Sequence, residues 1–201
     1  MDRDLRISTI SLLWDEGYRT IEHLLESIDE AGIDKPHFIC LPENSVPVNE
    51  NGSTANDVLN QVAEKARQYS AYCIVNLMEY TDDKTYSTSF LLGRDGKLVG
   101  KYRKSHKLPG EEIELGEELP VFDTEFGRVG LKIGTDHFFP EIDRTLALKG
   151  AKFIFWSTSP EPIEDAYQVD LKHKARALDN NLYIICSRYA TSLPYLTNSY
   201  G

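Results

Sequence analysis

The sequence lacks long hydrophobic runs and contains little cysteine. None of its apolar stretches approaches the roughly twenty residues that a membrane-spanning helix needs, and the charged start, Met1 to Asp4, is unlike a secretory signal. The cysteines Cys40, Cys73 and Cys186 lie far apart, each within an apolar stretch, so their spacing predicts neither a disulfide nor a metal site. We therefore expect a cytosolic protein with buried, inert thiols and with no metal or other cofactor.

Positive charge is also scarce. Lys and Arg number 22 against 32 Asp and Glu, which gives a net charge of −10, and the acidic residues are spread along the chain. Nucleic acids and anionic membranes both require a positive face on the protein that binds them. We therefore expect neither as a partner.

The length of 201 residues suits one domain with a sizeable core, and no repeat, low-complexity tract or linker divides the chain. We expect a single domain over residues 1–201. Strand and helix patterns alternate at first and a β-hairpin with an Asp-Gly tip follows, which indicates an α/β fold. The pattern predicts strands over 5–13, 38–41, 72–80, 85–92, 98–102, 129–133, 152–158 and 182–188, and helices over 18–31, 142–148 and 163–178, with one more that Ser53 and Thr54 cap and that runs towards Tyr69. Gly32 is the predicted stop of the first helix.

The most informative stretch is 129–141. A β-branched apolar run ends at Gly134-Thr135-Asp136, and Phe139-Pro140-Glu141 then opens a helix. This pattern predicts a buried strand that turns sharply into a helix. Enzymes often place a nucleophile at such a turn, because the side chain is held rigidly and nearby backbone N–H groups can stabilise an oxyanion. Here the residue at the turn is glycine.

Three segments, in this order, carry a resemblance to a known family. Residues 130–136 with 139–141 resemble the nucleophile segment of the nitrilase (carbon–nitrogen hydrolase) superfamily, in which a cysteine occupies the place of Gly134. Leu41-Pro42-Glu43 resembles the segment of the general-base glutamate, and 102–106 resembles the segment of the lysine. The resemblance covers about residues 5–190. It implies an α-β-β-α sandwich of four layers, and further strands after Gly201, so that the domain is incomplete at its C-terminus.

The resemblance also implies roles for individual residues. Glu43 would be the general base and Lys104 the cationic group that stabilises developing negative charge. A second glutamate in the following loop often assists, and the sequence does not distinguish Glu111 from Glu112. As a working assignment, Glu112 joins the catalytic residues and Glu111 the substrate contacts. Taken singly, a glutamate at a strand end and a basic hairpin edge are ordinary surface features. It is their order around the central stretch that indicates a site.

Gly134 leaves the predicted site without its sulfur. Thr135 is adjacent, but it should point to the other side of the turn, and a secondary alcohol without a dedicated base is a poor nucleophile. Cys40 lies on the strand before Glu43, with an offset that points it to the opposite face. Thr135 and Asp136 remain candidate substrate contacts, although Asp136 suits a cap of the following helix better.

Some side chains near the motifs have ordinary explanations. His106 and His137 are expected to be loop or packing residues, because no second histidine or carboxylate lies at metal spacing. Trp156 and Tyr167 could belong equally to the core or to a pocket wall.

The resemblance leads to an expected function and an alternative. The first is a homologue of hydrolases for small amides, carbamoyl compounds or nitriles, without cysteine-dependent catalysis, since a strained turn tolerates glycine well. The alternative is a non-catalytic small-molecule-binding or scaffold subunit in a homodimer or higher homo-oligomer, paired through helices 142–148 and 163–178. Gly134 could also be an introduced substitution, in which case a cysteine at this position would restore hydrolysis.

Overall fold

The computed structural model describes residues 4–13, 19–48, 54–81, 83–159 and 166–190. Ser53, the start of the predicted helix at Tyr18, residues 163–165 of the last predicted helix and everything after 190 lie outside these ranges. Within them, nine strands and four helices form two separate sheets with helices packed on their outer faces.

The first sheet is built from the N-terminal half of the chain. Its order is β1-β2-β3-β4-β5, with parallel pairing from β1 to β3 and antiparallel pairing from β3 to β5. Helices α1 and α2 connect the parallel strands, as βαβ units require. The bounds are β1 (Ile7–Thr9), α1 (Ile21–Ile33), β2 (Phe38–Cys40), α2 (Ala55–Tyr69), β3 (Tyr72–Thr81), β4 (Lys84–Leu92) and β5 (Leu98–Arg103).

The second sheet has the order β6-β7-β8-β9, in which β6 and β7 are antiparallel and the other pairs are parallel. A short 3-10 helix, Gly134–Phe138, separates β7 from the next α-helix, whose first residue is Pro140. The bounds are β6 (Val121–Thr124), β7 (Gly127–Ile133), α3 (Pro140–Leu148), β8 (Phe153–Thr158), α4 (Ala166–Asn180) and β9 (Tyr183–Arg188).

Three groups of buried side chains hold the layers together and confirm the predicted four-layer α-β-β-α sandwich. One lies between α1, α2 and the first sheet, a second between the two sheets, and a third between the second sheet and α3 and α4. Burial of apolar area at these three contacts is the main driving force for this arrangement.

Gly32 is not the helix stop that the sequence predicts. It lies within α1, which continues to Ile33, and it is fully buried. A β-carbon at this position would collide with the ring of Tyr69 on α2. The glycine therefore serves the close packing of the two helices rather than a left-handed turn.

The predicted strand over 5–13 is also shorter in the structure, because the chain leaves the first sheet after Thr9 and crosses towards the second. The Ser187 hydroxyl donates to the Ile10 carbonyl at 2.6 Å, and the Ala190 N–H donates to the Leu12 carbonyl at 2.8 Å. These bonds fasten one edge of the sandwich. Among the helices described, none is both long and apolar enough to cross a bilayer.

Candidate active site

The ends of three strands meet around the Glu43 carboxylate. Glu43 follows β2, Lys104 follows β5 and Gly134 follows β7. Lys104 Nζ lies 3.3 Å from Glu43 Oε1, and a β-carbon at Gly134 would lie 2.5 Å from Glu43 Oε2. The structure thus brings together the three positions that the sequence motifs single out.

The turn after β2 fixes the position of Glu43. Asn44 has a left-handed backbone with φ of 47°, and its N–H donates to the side-chain oxygen of Asn76 on β3 at 2.7 Å. The Ser45 hydroxyl closes the turn by donating to the Pro42 carbonyl at 2.6 Å. Asn76 is completely buried and also donates to two serine hydroxyls on β4. This buried amide fixes the turn that carries Glu43, and no sequence motif indicated it.

A second residue that the motifs missed is Ser159, just after β8. Its N–H and its hydroxyl both donate to Glu43 Oε2, at 3.1 and 3.0 Å. The Glu43 N–H donates in turn to the Thr158 carbonyl at 3.4 Å. Glu43, which belongs to the first sheet, is therefore held by the end of a strand in the second.

The charges in this cluster influence one another strongly. Burial raises the pKa of Glu43, and this effect outweighs the opposing influence of Lys104 and of the hydrogen bonds from Ser159. Burial disfavours the charged form of Lys104, yet attraction to Glu43 and the hydrogen bond to Glu111 prevail and the pKa of Lys104 is raised. Lys104 is therefore an ammonium group at neutral pH, beside a carboxyl group that takes up a proton more readily than usual.

Of the two candidate loop glutamates, Glu111 and not Glu112 reaches the site. The Glu111 oxygens lie 3.0 and 3.1 Å from Lys104 Nζ. Glu112 is exposed and lines a separate surface cleft with residues of the β3–β4 turn. The geometry therefore places Glu111, and not the Glu112 of the working assignment, beside Lys104. Neighbouring loop residues point in different directions, and the sequence had no periodicity here to choose between them.

Gly134 lies at a tight turn with a positive φ of 41°, a conformation that favours glycine. Its carbonyl accepts a hydrogen bond from Trp156 Nε1 at 3.1 Å and lies 3.0 Å from His137 Nδ1. Trp156 is buried against this turn, whereas Tyr167 is 71% exposed, so the two aromatic residues have different roles.

Thr135 and Asp136, the candidate substrate contacts from the sequence, both make hydrogen bonds within the protein. The Thr135 hydroxyl donates to the His106 carbonyl at 2.9 Å. Asp136 is fully buried and accepts bonds from the Ile133 N–H at 2.9 Å, the Tyr102 hydroxyl at 2.7 Å and the loop after Lys104. It caps the 3-10 helix and not α3, whose cap residue is Phe139. Both side chains fasten the lysine segment to the Gly134 turn.

The cysteines lie away from Glu43. Cys40 is in the core between the sheets, 4.0 Å from the Ser157 hydroxyl, and burial raises the pKa of its thiol. Burial also raises the pKa of Cys73 to about 12 and that of Cys186 to about 11. Cys40 and Cys73 are buried as expected, but Cys186 is partly exposed. None of the three is in the cluster around Glu43.

The two histidines near the motifs take part in packing. His106 stacks on Phe139 with ring centres 3.6 Å apart, and His137 is buried beside Trp156 at 4.9 Å. Within the described ranges, no group of three or more His, Cys, Asp or Glu side chains could hold a metal ion.

Buried charges behind the turn join it to the outer helices. Lys132 on β7 pairs with Asp143 on α3 at 2.8 Å, and both side chains are fully buried. Arg176 on α4 lies 3.3 Å from the second Asp143 oxygen and also donates to the His137 carbonyl. Burial lowers the pKa of Lys132, but Asp143 opposes this shift. These contacts tie the 3-10 helix to α3 and α4.

Solved structures share this fold. The structure superposes on a solved nitrilase-superfamily protein of Saccharomyces cerevisiae, from branch 10, with a TM-score of 0.82, covering 94% of this chain and 77% of that chain at 22% identity. A mutant of an amidase of the same superfamily, from Nesterenkonia AN1, gives a TM-score of 0.79 over 94% of this chain and 78% of that chain at 18% identity. At such low identity the likeness concerns the fold alone.

The sequence then defines the family. Residues 13–199 match the family model for carbon-nitrogen hydrolase. A nitrilase of Pyrococcus abyssi is 31% identical over 189 residues, which cover 85% of this chain and 68% of that protein. The chain belongs to the carbon–nitrogen hydrolase family.

Similarity to omega-amidases covers less of the relatives' length. An omega-amidase of Saccharomyces cerevisiae is 28% identical over 160 residues, which cover 74% of this chain and 55% of that protein. A chloroplastic omega-amidase of Arabidopsis thaliana is 27% identical over 190 residues, covering 83% of this chain and 52% of its own length. The chain thus spans about half the length of these relatives.

Proposed function

We propose that this chain is a carbon–nitrogen hydrolase homologue that binds a small amide, carbamoyl or nitrile group without cysteine-dependent hydrolysis. The observation that carries the proposal is the pairing of Glu43 with Lys104 beside Gly134, where a family member would need its sulfur. The relatives named omega-amidase and nitrilase support this ligand class. Glu43 and Lys104 are the residues that would recognise the ligand, and Glu111 would keep Lys104 charged.

The chemistry of each group sets what it can do. The Lys104 ammonium can donate to the carbonyl oxygen of an amide or to the nitrogen of a nitrile. The Glu43 carboxylate can accept a hydrogen bond from an amide N–H. Without a thiolate no covalent acyl intermediate forms, and the carbon keeps its nitrogen. The Thr135 hydroxyl is poorly suited to take over, because it donates to the His106 carbonyl, and a backbone carbonyl cannot act as its general base.

Release of ammonia from simple aliphatic amides tests the proposal. We expect the purified chain to release no more ammonia than its Glu43→Gln variant does. Gly134→Cys is expected to gain measurable hydrolysis, with Gly134→Ala as the control that adds a β-carbon without sulfur. Hydrolysis by the unsubstituted chain that disappears in Glu43→Gln would refute the proposal.

Exposed apolar side chains on α3, α4 and β9 favour a second, compatible role as a scaffold subunit in a homodimer or higher homo-oligomer. Leu148, Leu178 and Tyr183 are 71%, 81% and 70% exposed. No described side chain of α4 is fully buried. A second copy packed on this face would remove that apolar surface from water.

A matched pair of substitutions tests the scaffold role by light scattering at micromolar concentration. Leu148 and Ile33 are each the last residue of a helix, with exposures of 71% and 75%. We expect Leu148→Glu to reduce the mass of the assembly and Ile33→Glu to leave it unchanged. A monomer before any substitution would contradict this role.

A further inference from the structure

The space that a side chain at position 134 would occupy is filled by the carboxyl group of Glu43, whose Oε2 comes closest. A β-carbon at Gly134 would lie 2.5 Å from Oε2, 2.8 Å from Oε1 and 3.0 Å from the carboxyl carbon of Glu43. Ordinary van der Waals contacts to carbon are about 3.5 Å or longer. The glutamate must therefore withdraw before any other residue can occupy position 134.

The contacts of Oε2 identify what holds the glutamate there. From the described residues Oε2 accepts two hydrogen bonds, and both come from Ser159, one from its N–H and one from its hydroxyl. The Lys104 ammonium lies nearer to Glu111, at 3.0 Å, than to Glu43, at 3.3 Å, and its contact is with Oε1. Lys104 thus contacts the oxygen that lies 2.8 Å from the β-carbon position, whereas Ser159 holds the nearer oxygen, at 2.5 Å.

We propose that the Ser159 hydroxyl is a positioning residue that holds the Glu43 carboxylate in the volume of the missing side chain. Serine supplies one donor more than an alanine would at this position, because the backbone N–H remains in either case. A hydrogen bond to a charged oxygen is stronger than one between neutral groups. This extra bond keeps Glu43 in place and opposes the return of a thiol at position 134.

The inference deepens the proposed function, because it takes position 134 as the place of the absent nucleophile. Its test does not depend on hydrolysis. Iodoacetamide reports directly on a thiol at position 134: the carbon–sulfur bond forms, iodide leaves, and the thiol proton passes to Glu43 or to solvent. Mass spectrometry separates this site from Cys40, Cys73 and Cys186, whose raised pKa values make them slow.

Three variants are compared at one pH. Position 134 in Gly134→Cys/Ser159→Ala is expected to be alkylated roughly tenfold or more faster than in Gly134→Cys, since one hydrogen bond to a charged group no longer holds Glu43. Gly134→Cys/Ser159→Thr keeps a hydroxyl and is expected to be as slow as Gly134→Cys. Equal rates in all three variants would overturn the inference.

Two further measurements keep the inference testable if the thiol variants fold poorly. In the unsubstituted chain, Ser159→Ala is expected to raise the pKa of Glu43, followed by carboxyl ¹³C NMR, and an unchanged pKa would count against a bond at Oε2. In urea unfolding, Gly134→Ala is expected to cost less in the Ser159→Ala background than alone, and strict additivity would contradict the coupling.

These measurements distinguish the role of Ser159 from the proposed function of the site. A faster alkylation without any amide hydrolysis would support the role of Ser159 and weaken the interpretation of the site as a former hydrolase. Hydrolysis by Gly134→Cys at the same rate with and without Ser159→Ala would support the interpretation of the site as a former hydrolase and weaken the role of Ser159.

Discussion

Glu43 Oε2 lies 2.5 Å from the point where a β-carbon at position 134 would be, which is too close for both atoms to be present. This contact joins residues that follow strands of different sheets. A substitution at Gly134 should therefore affect both the stability of the protein and the titration of Glu43.

Gly134→Ala should destabilise the protein by about 2 kcal/mol, since alanine is strained at positive φ and its methyl group also meets Glu43. Gly110→Ala is the control, because Gly110 has a φ of 96° and nothing within 4 Å of its β-carbon position. Backbone strain alone would make the Gly110 substitution the costlier one, since 96° lies farther from the left-handed minimum. Urea midpoints that rank Gly110→Ala as the more damaging change would remove the steric argument.

The stability change caused by Glu43→Gln should grow more favourable as the pH rises. Burial raises the pKa of Glu43 above its ordinary value of 4.5, so the folded state holds this proton more tightly than the unfolded state does. The resulting stabilisation is complete below 4.5 and is lost as the pH rises through the higher folded value. Glutamine has no proton to lose, so the variant gains relative to the parent across that window.

Asp57→Asn provides a control of opposite sign for this titration. Hydrogen bonds from the backbone and side chain of Thr54 lower the pKa of Asp57. Its contribution is present above the ordinary pKa and is lost as the pH falls, so the stability of Asp57→Asn relative to the parent should improve towards low pH. Urea unfolding between about pH 2 and 8 covers both windows, because the Asp57 effect lies below its ordinary pKa of 3.8 and the Glu43 effect lies above 4.5. Parallel curves for the two variants would show that the signs assigned here are wrong.

Asp136→Asn should destabilise the protein by about 2–4 kcal/mol. Both oxygens of the buried Asp136 accept hydrogen bonds, so the NH2 group of asparagine would replace one acceptor and face an N–H or O–H donor. Asp123→Asn is the control, since that side chain is 81% exposed and pairs only with Arg128 in the described part of the chain. We expect it to change stability by less than about 0.5 kcal/mol. Similar urea midpoints for both variants would contradict the structural role of Asp136.

Glu111→Gln and Glu112→Gln should have different effects on Lys104. The hydrogen bond that Lys104 donates to Glu111 helps to raise the pKa of Lys104, so its loss should lower that pKa. Glu112 makes no such contact and its substitution should leave the lysine unchanged. NMR titration of the lysine ammonium groups distinguishes the two. A shift caused by Glu112→Gln alone would reverse the assignment of the loop.

Much of the fold could be predicted from the sequence, because burial of one face gives strands and helices regular periods of apolar residues. The apolar run before Gly134 and the Asp-Gly hairpin tip predicted β7 and the β4–β5 pair at nearly their observed bounds. The first strand was overestimated, since Ile10, Leu12 and Leu13 are apolar for a different reason: this segment crosses between the sheets. Periodicity reports burial, and it does not report which sheet buries a residue.

The site was only partly predictable for a related reason. Motifs led to Glu43, Lys104 and Gly134 because each follows a recognisable strand. Ser159 is 116 residues from Glu43 along the chain and carries no motif, so its role depends on how the two sheets align. Asp136 was considered a helix cap, but its partners on the Lys104 segment come from 30 or more residues away.

The two-sheet construction of the site also bears on how it forms. Glu43 and Lys104 come from one sheet, and Gly134 and Ser159 from the other, so neither half of the sandwich contains a complete ligand-recognition centre. The centre is assembled only when the two halves dock in the correct register. Its titration behaviour should therefore appear late in refolding, together with the last cooperative step.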